Sequence, residues 1–211
     1  MRLPSMDGLH PRLEALSCGS PCPHRDADEP AHPAPHAAEV RALAFVSTLL
    51  MLARGEGAPP LQDLLAQQVA AMVNGGCLVR FARDGRLAPV AVWHTDAMAR
   101  DAWQALLASR PAVFSDYDAF SRQLQRRRSA VRMPGVRADQ LRLWVTKTVA
   151  DLFIGLGLRS LVVAPCVAPT REVVGSLTVW RDGEAEPLSE DDLTFVECVA
   201  QRVGAELACC I

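Results

Sequence analysis

Past residue 38 the apolar positions switch between a helical period and a two-residue period, and the switches outline the fold. Residues 39–53 are apolar on most sides of a helix, so this segment needs partners on more than one face. "RGEGAPP" breaks it. Residues 61–74 predict a second helix with Leu61, Leu64, Leu65, Val69, Met72 and Val73 on its apolar face, closed through Asn74-Gly75-Gly76 by a left-handed cap. The period then shortens. Residues 77–94 read as two strands joined at Asp84-Gly85, a hairpin signal. A helix is expected over 97–109, a short strand ending in Ser115-Asp116 after it, and a helix over 139–155 carrying Leu143, Trp144, Thr148 and Phe153. "SLVVAPCV" and "REVVGSLTVWRDG" predict two more strands, the second closed by Asp182-Gly183.

The final segment, residues 187–210, opens with a strong helix start. Ser189 can cap the first turn, Asp192 approximates the reciprocal half of a capping box, and Glu190, Asp191 and Asp192 favour the positive end of the helix dipole. Leu193, Val196, Ala200, Val203 and Leu207 then form one stripe, widened by Phe195 and Val199. The stripe suits packing on its own domain and also a short seam with a second copy. Hairpin-linked strands bracketed by helices indicate an α+β fold with an antiparallel sheet, not a doubly wound parallel one.

Composition narrows the class. The chain has 211 residues, half of them hydrophobic, and a formal net charge of −2, which gives no sign of general disorder or of nucleic-acid binding. Lys147 is the sole lysine, a bias attributed to genome base composition. Seven cysteines without a regular framework argue against a secreted disulfide scaffold, and no signal peptide is visible. The longest apolar run, 42–53, is too short to span a bilayer. A bacterial cytoplasm is the default location. Residues 1–36 are proline-rich and read as a flexible leader ahead of a domain over 37–211. The leader holds Cys18, Cys22, His24, His32 and His36, which are metal-ligand types, but no second regularly spaced pair follows, so a metal is not expected.

Taken together, these segments are similar to a GAF domain, a small-molecule sensor module of signalling proteins, over about residues 38–211. The resemblance rests on Val174-Gly175-Ser176-Leu177 within a hairpin strand, on Pro187-Leu188-Ser189 with Asp192 before the last helix, and on "RPAVFSD" ending in Asp116. It implies an antiparallel five- or six-stranded sheet, with the first and last helices on one face and a ligand pocket on the other under a variable middle segment. It also implies a homodimer through the terminal helices. The last helix of such domains commonly runs on into an output domain; with the sequence ending at Ile211, the expectation is a separate output protein or else a chain that is a fragment or a degenerate copy.

Strand alternation nominates the pocket side. Ser176, Thr178 and Trp180 share one face of their strand and Arg80 suits the same side; Trp93, Asp116 and Trp144 are further candidates, each with ordinary packing or a local ion pair as its alternative. Residues 121–142 hold Arg122, Arg126, Arg127, Arg128, Arg132, Arg137 and Arg142 against a single acid, Asp139. The run reads as a solvated face, or as a source of guanidinium groups, Arg128 and Arg132 among them, for an anionic ligand. Nucleic acid or a membrane surface is not expected. No catalysis is expected either. The methionine sulfoxide reductases that share the resemblance use cysteines in the middle segment, and residues 84–165 contain none; the Cys-His pair of bilin-binding relatives is also missing. His94 reads as a hydrogen-bonded surface residue rather than a haem ligand. The cofactor is left unassigned. The reading is therefore a non-catalytic signalling domain that binds a small molecule, with a ligand-free dimerisation or docking scaffold as its alternative.

Overall fold

The computed structural model describes residues 35–53, 59–83, 86–110 and 119–208. The leader's Cys18, Cys22, His24 and His32, the Asp84-Gly85 turn and the expected strand ending in Asp116 lie outside them. The elements run α1 (Pro35–Ala53), α2 (Leu61–Val73), β1 (Gly76–Arg83), β2 (Arg86–His94), α3 (Ala97–Ser109), α4 (Ala119–Arg127), β3 (Val131–Met133), α5 (Ala138–Trp144), α6 (Lys147–Gly155), β4 (Leu158–Val167), β5 (Val173–Asp182) and α7 (Glu190–Ala208). The five described strands form one sheet in the order β2-β1-β5-β4-β3, and every neighbouring pair is antiparallel.

Local chemistry sets the boundaries. Asn74 ends α2 in the left-handed region (φ 50°), and Gly75 N–H reaches back to Ala70 O at 3.0 Å, the six-to-one bond of a Schellman cap. At α7, Asp192 N–H donates to Ser189 Oγ (3.1 Å) and Ser189 N–H to Asp192 Oδ2 (2.8 Å), so the capping box closes with Asp in place of Glu. On the edge strand β2, the register slips between Val79 and Arg80, whose partners are Ala91 and Pro89. Pro89, lacking an N–H, is tolerated at such an edge bulge. One expectation is corrected. The helix over 139–155 is two helices, because the β-branched pair Val145 and Thr146 takes extended backbone between them. The arginine-rich middle holds α4 and β3, with Leu124 as the buried anchor of α4.

The sheet is covered on both sides. Cys77, Val79, Val162, Ala164, Leu177 and Val179 face α1, α2 and α7, where Val46, Leu65, Val69, Phe195, Val196 and Val199 meet them. Leu78, Val92, Leu161, Val163 and Trp180 face the other way, against Trp103, Leu141, Val149 and Phe153. Gly76 pairs with Trp180, and a Cβ on Gly76 would come within 2.1 Å of the indole ring. Gly76→Ala is therefore expected to destabilise the fold by about 3 kcal/mol, at the upper end of overpacking costs. Gly135→Ala, where a Cβ meets nothing within 4 Å, should leave urea unfolding near wild type. Equal midpoints for the two variants would contradict this packing.

Candidate functional site

The face opposite the terminal helices is built by β1 and β5. Their register sets Arg80 across from Ser176 and Leu78 across from Thr178. Arg80 is only 4% exposed; its Nε donates to Ser176 Oγ at 3.1 Å and its Nη2 reaches Thr178 Oγ1 at 3.5 Å. A buried guanidinium must spend its donors on acceptors, and the two hydroxyls lay the side chain along β5. Beside this polar row Trp180, Trp103 and Phe153 form an aromatic layer, with ring centroids 4.9 Å (Trp103–Trp180), 4.6 Å (Trp103–Phe153) and 5.2 Å (Phe153–Trp180) apart. Trp144 packs at the margin of the same layer.

Of the other nominated residues, Trp93, Arg128 and Arg132 are not brought to this row. Trp93 pairs with Cys77, packs on the helix-side core and lies under the Arg100 guanidinium, 4.9 Å from its ring centroid. Arg132 pairs with Val162 and so points toward α7, where its Nη1 donates to Leu188 O at 2.8 Å and its Nη2 meets the Glu190 carboxylate. Arg128 is exposed just past α4, with φ 55°. Asp116 lies outside the described residues.

Three features escaped sequence reasoning. Trp103, on α3, is fully buried, and its spacing from Ala99 and Leu106 was the available signal. His94 is buried rather than at the surface: its Nδ1 accepts the Asp96 N–H at 3.0 Å, so the ring proton sits on Nε2, 3.2 Å from Asp182 Oδ2. That contact has ion-pair distance without hydrogen-bond alignment. Third, Arg181 ties three elements together. Its Nε donates to Val73 O (2.6 Å), Nη1 reaches Glu186 O and Pro187 O, and Nη2 lies 3.2 Å from Asp192. Ser160 Oγ accepts the Leu188 N–H at 2.8 Å in the same seam.

The three described thiols offer little chemistry. Burial pushes Cys166 up to about 12 and Cys77 higher still, the latter helped by Cys166. Cys198 is raised by partial burial and by Glu39 and Glu197. Among the described residues no group of three His, Cys, Asp or Glu side chains is placed to hold a metal ion, and no helix is long and apolar enough to cross a membrane.

An antiparallel sheet with its terminal helices on one face and short helices on the other defines an α+β class. The family model of the GAF domain matches residues 60–207, and the chain belongs to that family. GAF domains are generally regulatory modules that bind small molecules. Solved structures agree on the fold. The GAF domain of an Acinetobacter phosphoenolpyruvate-protein phosphotransferase is 16% identical, with a TM-score of 0.53 over 80% of this chain and 89% of that one. A GAF domain/HD domain protein from Geobacter sulfurreducens is 18% identical, with a TM-score of 0.51 over 66% and 85%. The chromophore-binding domain of a Stigmatella aurantiaca bacteriophytochrome is 12% identical, with a TM-score of 0.54 over 88% and 67%. No curated protein matches the chain.

At pH 8 a thiol with its pKa at about 12 is ionised to about one part in ten thousand, against roughly a quarter for a free cysteine. Native protein treated with a disulfide reagent and mapped by mass spectrometry should therefore leave Cys77 and Cys166 unmodified, while urea exposes both to full labelling. Rapid native labelling of either would contradict their burial.

Proposed function

We propose that the chain is a non-catalytic regulatory GAF module of a bacterial cytoplasm, acting as a homodimer. A small molecule, anionic if it engages Arg80, would bind on the Arg80, Ser176 and Thr178 side of the sheet. Its bound state would reach a separate output protein through the terminal helices. Residues 37–211 would serve as the sensor domain and 1–36 as its leader.

The observation that carries this reading is the outer side of α1. Val40 and Leu43 are each 52% exposed and Met51 74%, on a helix whose inner side already packs along α7. Phe195, Val196, Val199 and Val203 of α7 are buried within their own domain, so of these two helices it is α1 that presents large apolar side chains to solvent. Between the two helices lies a shallow cavity of about 350 Å³ lined by Glu39, Leu43, Cys198, Gln201 and Arg202. A polar rim around apolar contacts suits association with a second copy. A ligand with higher affinity for one arrangement of the middle segment would shift the population of that arrangement.

A second reading, a ligand-free dimerisation or docking scaffold, is favoured by one observation: Trp103, Phe153 and Trp180 fill the far side of the sheet with ring-to-ring contact. Sedimentation at micromolar concentration should give a dimer for wild type and a monomer for Leu43→Asp at unchanged circular dichroism; a variant that stays dimeric would contradict the α1 interface. Native mass spectrometry separates the two readings. A defined extra mass lost on denaturation supports the sensor, and a clean apo-dimer supports the scaffold.

A further inference from the structure

Arg122, Arg126, Arg127 and Arg128 are exposed on α4 and just after it, and no guanidinium of the four has a carboxylate partner among the described residues. Arg132, Arg137, Arg142, Arg181 and Arg202 each lie against an acid, and exposed Arg159 and Arg171 lack one singly among the described residues, whereas on α4 the arginines without one are clustered. Acids are not scarce, at 24 Asp and Glu to 22 Lys and Arg. The helix dipole accounts for Arg126 and Arg127 in the last turn of α4. It does not account for Arg122, which repels Arg126 one turn away, nor for Arg128 beyond the helix end. Arg128 takes φ 55°, uncommon for a residue with a side chain, and its N–H bonds Leu124 O at 2.8 Å. That turn brings it to the wall of a groove of about 240 Å³, with Ser129 beside it, Pro165 and Val167 of β4 across from it, and Glu197 and Gln201 of α7 closing it.

We propose that α4 and this groove dock an extended acidic segment of a partner protein. Its carboxylates lie along Arg122, Arg126 and Arg127, where planar guanidinium forks match carboxylate geometry. An uncharged residue enters the groove beside Pro165 and Val167, because Glu197 repels a carboxylate there. Charge complementarity selects this occupant. A nucleic acid or a lipid surface would need a wider basic face than one short helix on a chain of net charge −2. The surface shares only Gln201 with the α1–α7 cavity, so the inference stands whether or not the chain pairs through α1.

The test is fluorescence anisotropy with a labelled peptide of Glu-Glu-Ala repeats, run beside an oligothymidylate and vesicles containing phosphatidylglycerol. Wild-type protein should bind the peptide saturably and more weakly as salt rises. The triple variant R122E/R126E/R127E, with circular dichroism unchanged, should lose at least about tenfold in affinity, and Glu197→Gln should gain severalfold. Absence of saturable binding, equal binding by the triple variant, or tighter binding of the oligonucleotide or the vesicles overturns the proposal. So does a triple variant that alters the sedimentation of the protein alone, because the occupant is then a second copy.

Discussion

The indole of Trp180 lies on the backbone of Gly76, and most of the far side of the sheet follows from that contact. With no side chain at Gly76, the ring can cross β1 and touch Trp103 and Phe153, which come from α3 and α6. The contact fits one β1–β5 register. A slip of β5 by one residue would turn Trp180, Thr178 and Ser176 onto the terminal-helix side, among Val69, Phe195 and Val199. The same register sets Arg80 against Ser176 and Leu78 against Thr178. The polar row and the aromatic layer are thus one structural solution, in which β5 offers hydroxyls to a buried cation and also carries the largest ring of the core.

The two sides of the sheet serve different ends. On the terminal-helix side α7 spends its apolar stripe on its own domain, and a polar seam fixes where it starts. Arg181 grips Val73 O and Asp192, Ser160 holds Leu188 N–H, and Arg132 holds Leu188 O and Glu190. The first turn of α7 is thus tied to β4 by the neutral Ser160–Leu188 bond, and to β5 and β3 by Arg181 and Arg132, whose hydrogen bonds are charge-assisted and stronger than neutral ones. This gives the proposed relay a physical route from the sheet to the terminal helices.

Much of this was legible in the sequence because periodicity and caps are local. The β1–β2 and β4–β5 hairpins, the Asn74 cap, the Ser189–Asp192 box and the side of the sheet taken by Ser176, Thr178 and Trp180 all follow from neighbours within a few residues. Where long-range packing decides, local pattern failed. Trp93 and Arg132 looked suitable for a pocket by residue type, but their strand positions turn them toward the helices. α4 was hidden because its charged residues conceal a single buried leucine, and His94 was misjudged because its partner Asp182 lies on another strand. Arginine spacing alone could not separate Arg132 and Arg142, which lie against acids, from Arg122 and Arg126, which have no carboxylate partner among the described residues, since pairing depends on acids elsewhere along the chain.

The division of labour between the two sides of the sheet is tested most directly by hydrogen–deuterium exchange followed across a dilution series. The account predicts that exchange in the α1 segment containing Val40, Leu43 and Met51 slows as protein concentration rises, while the β5 segment around Trp180 stays slow throughout. Concentration-independent exchange in α1, or fast exchange in β5 at every concentration, would contradict it.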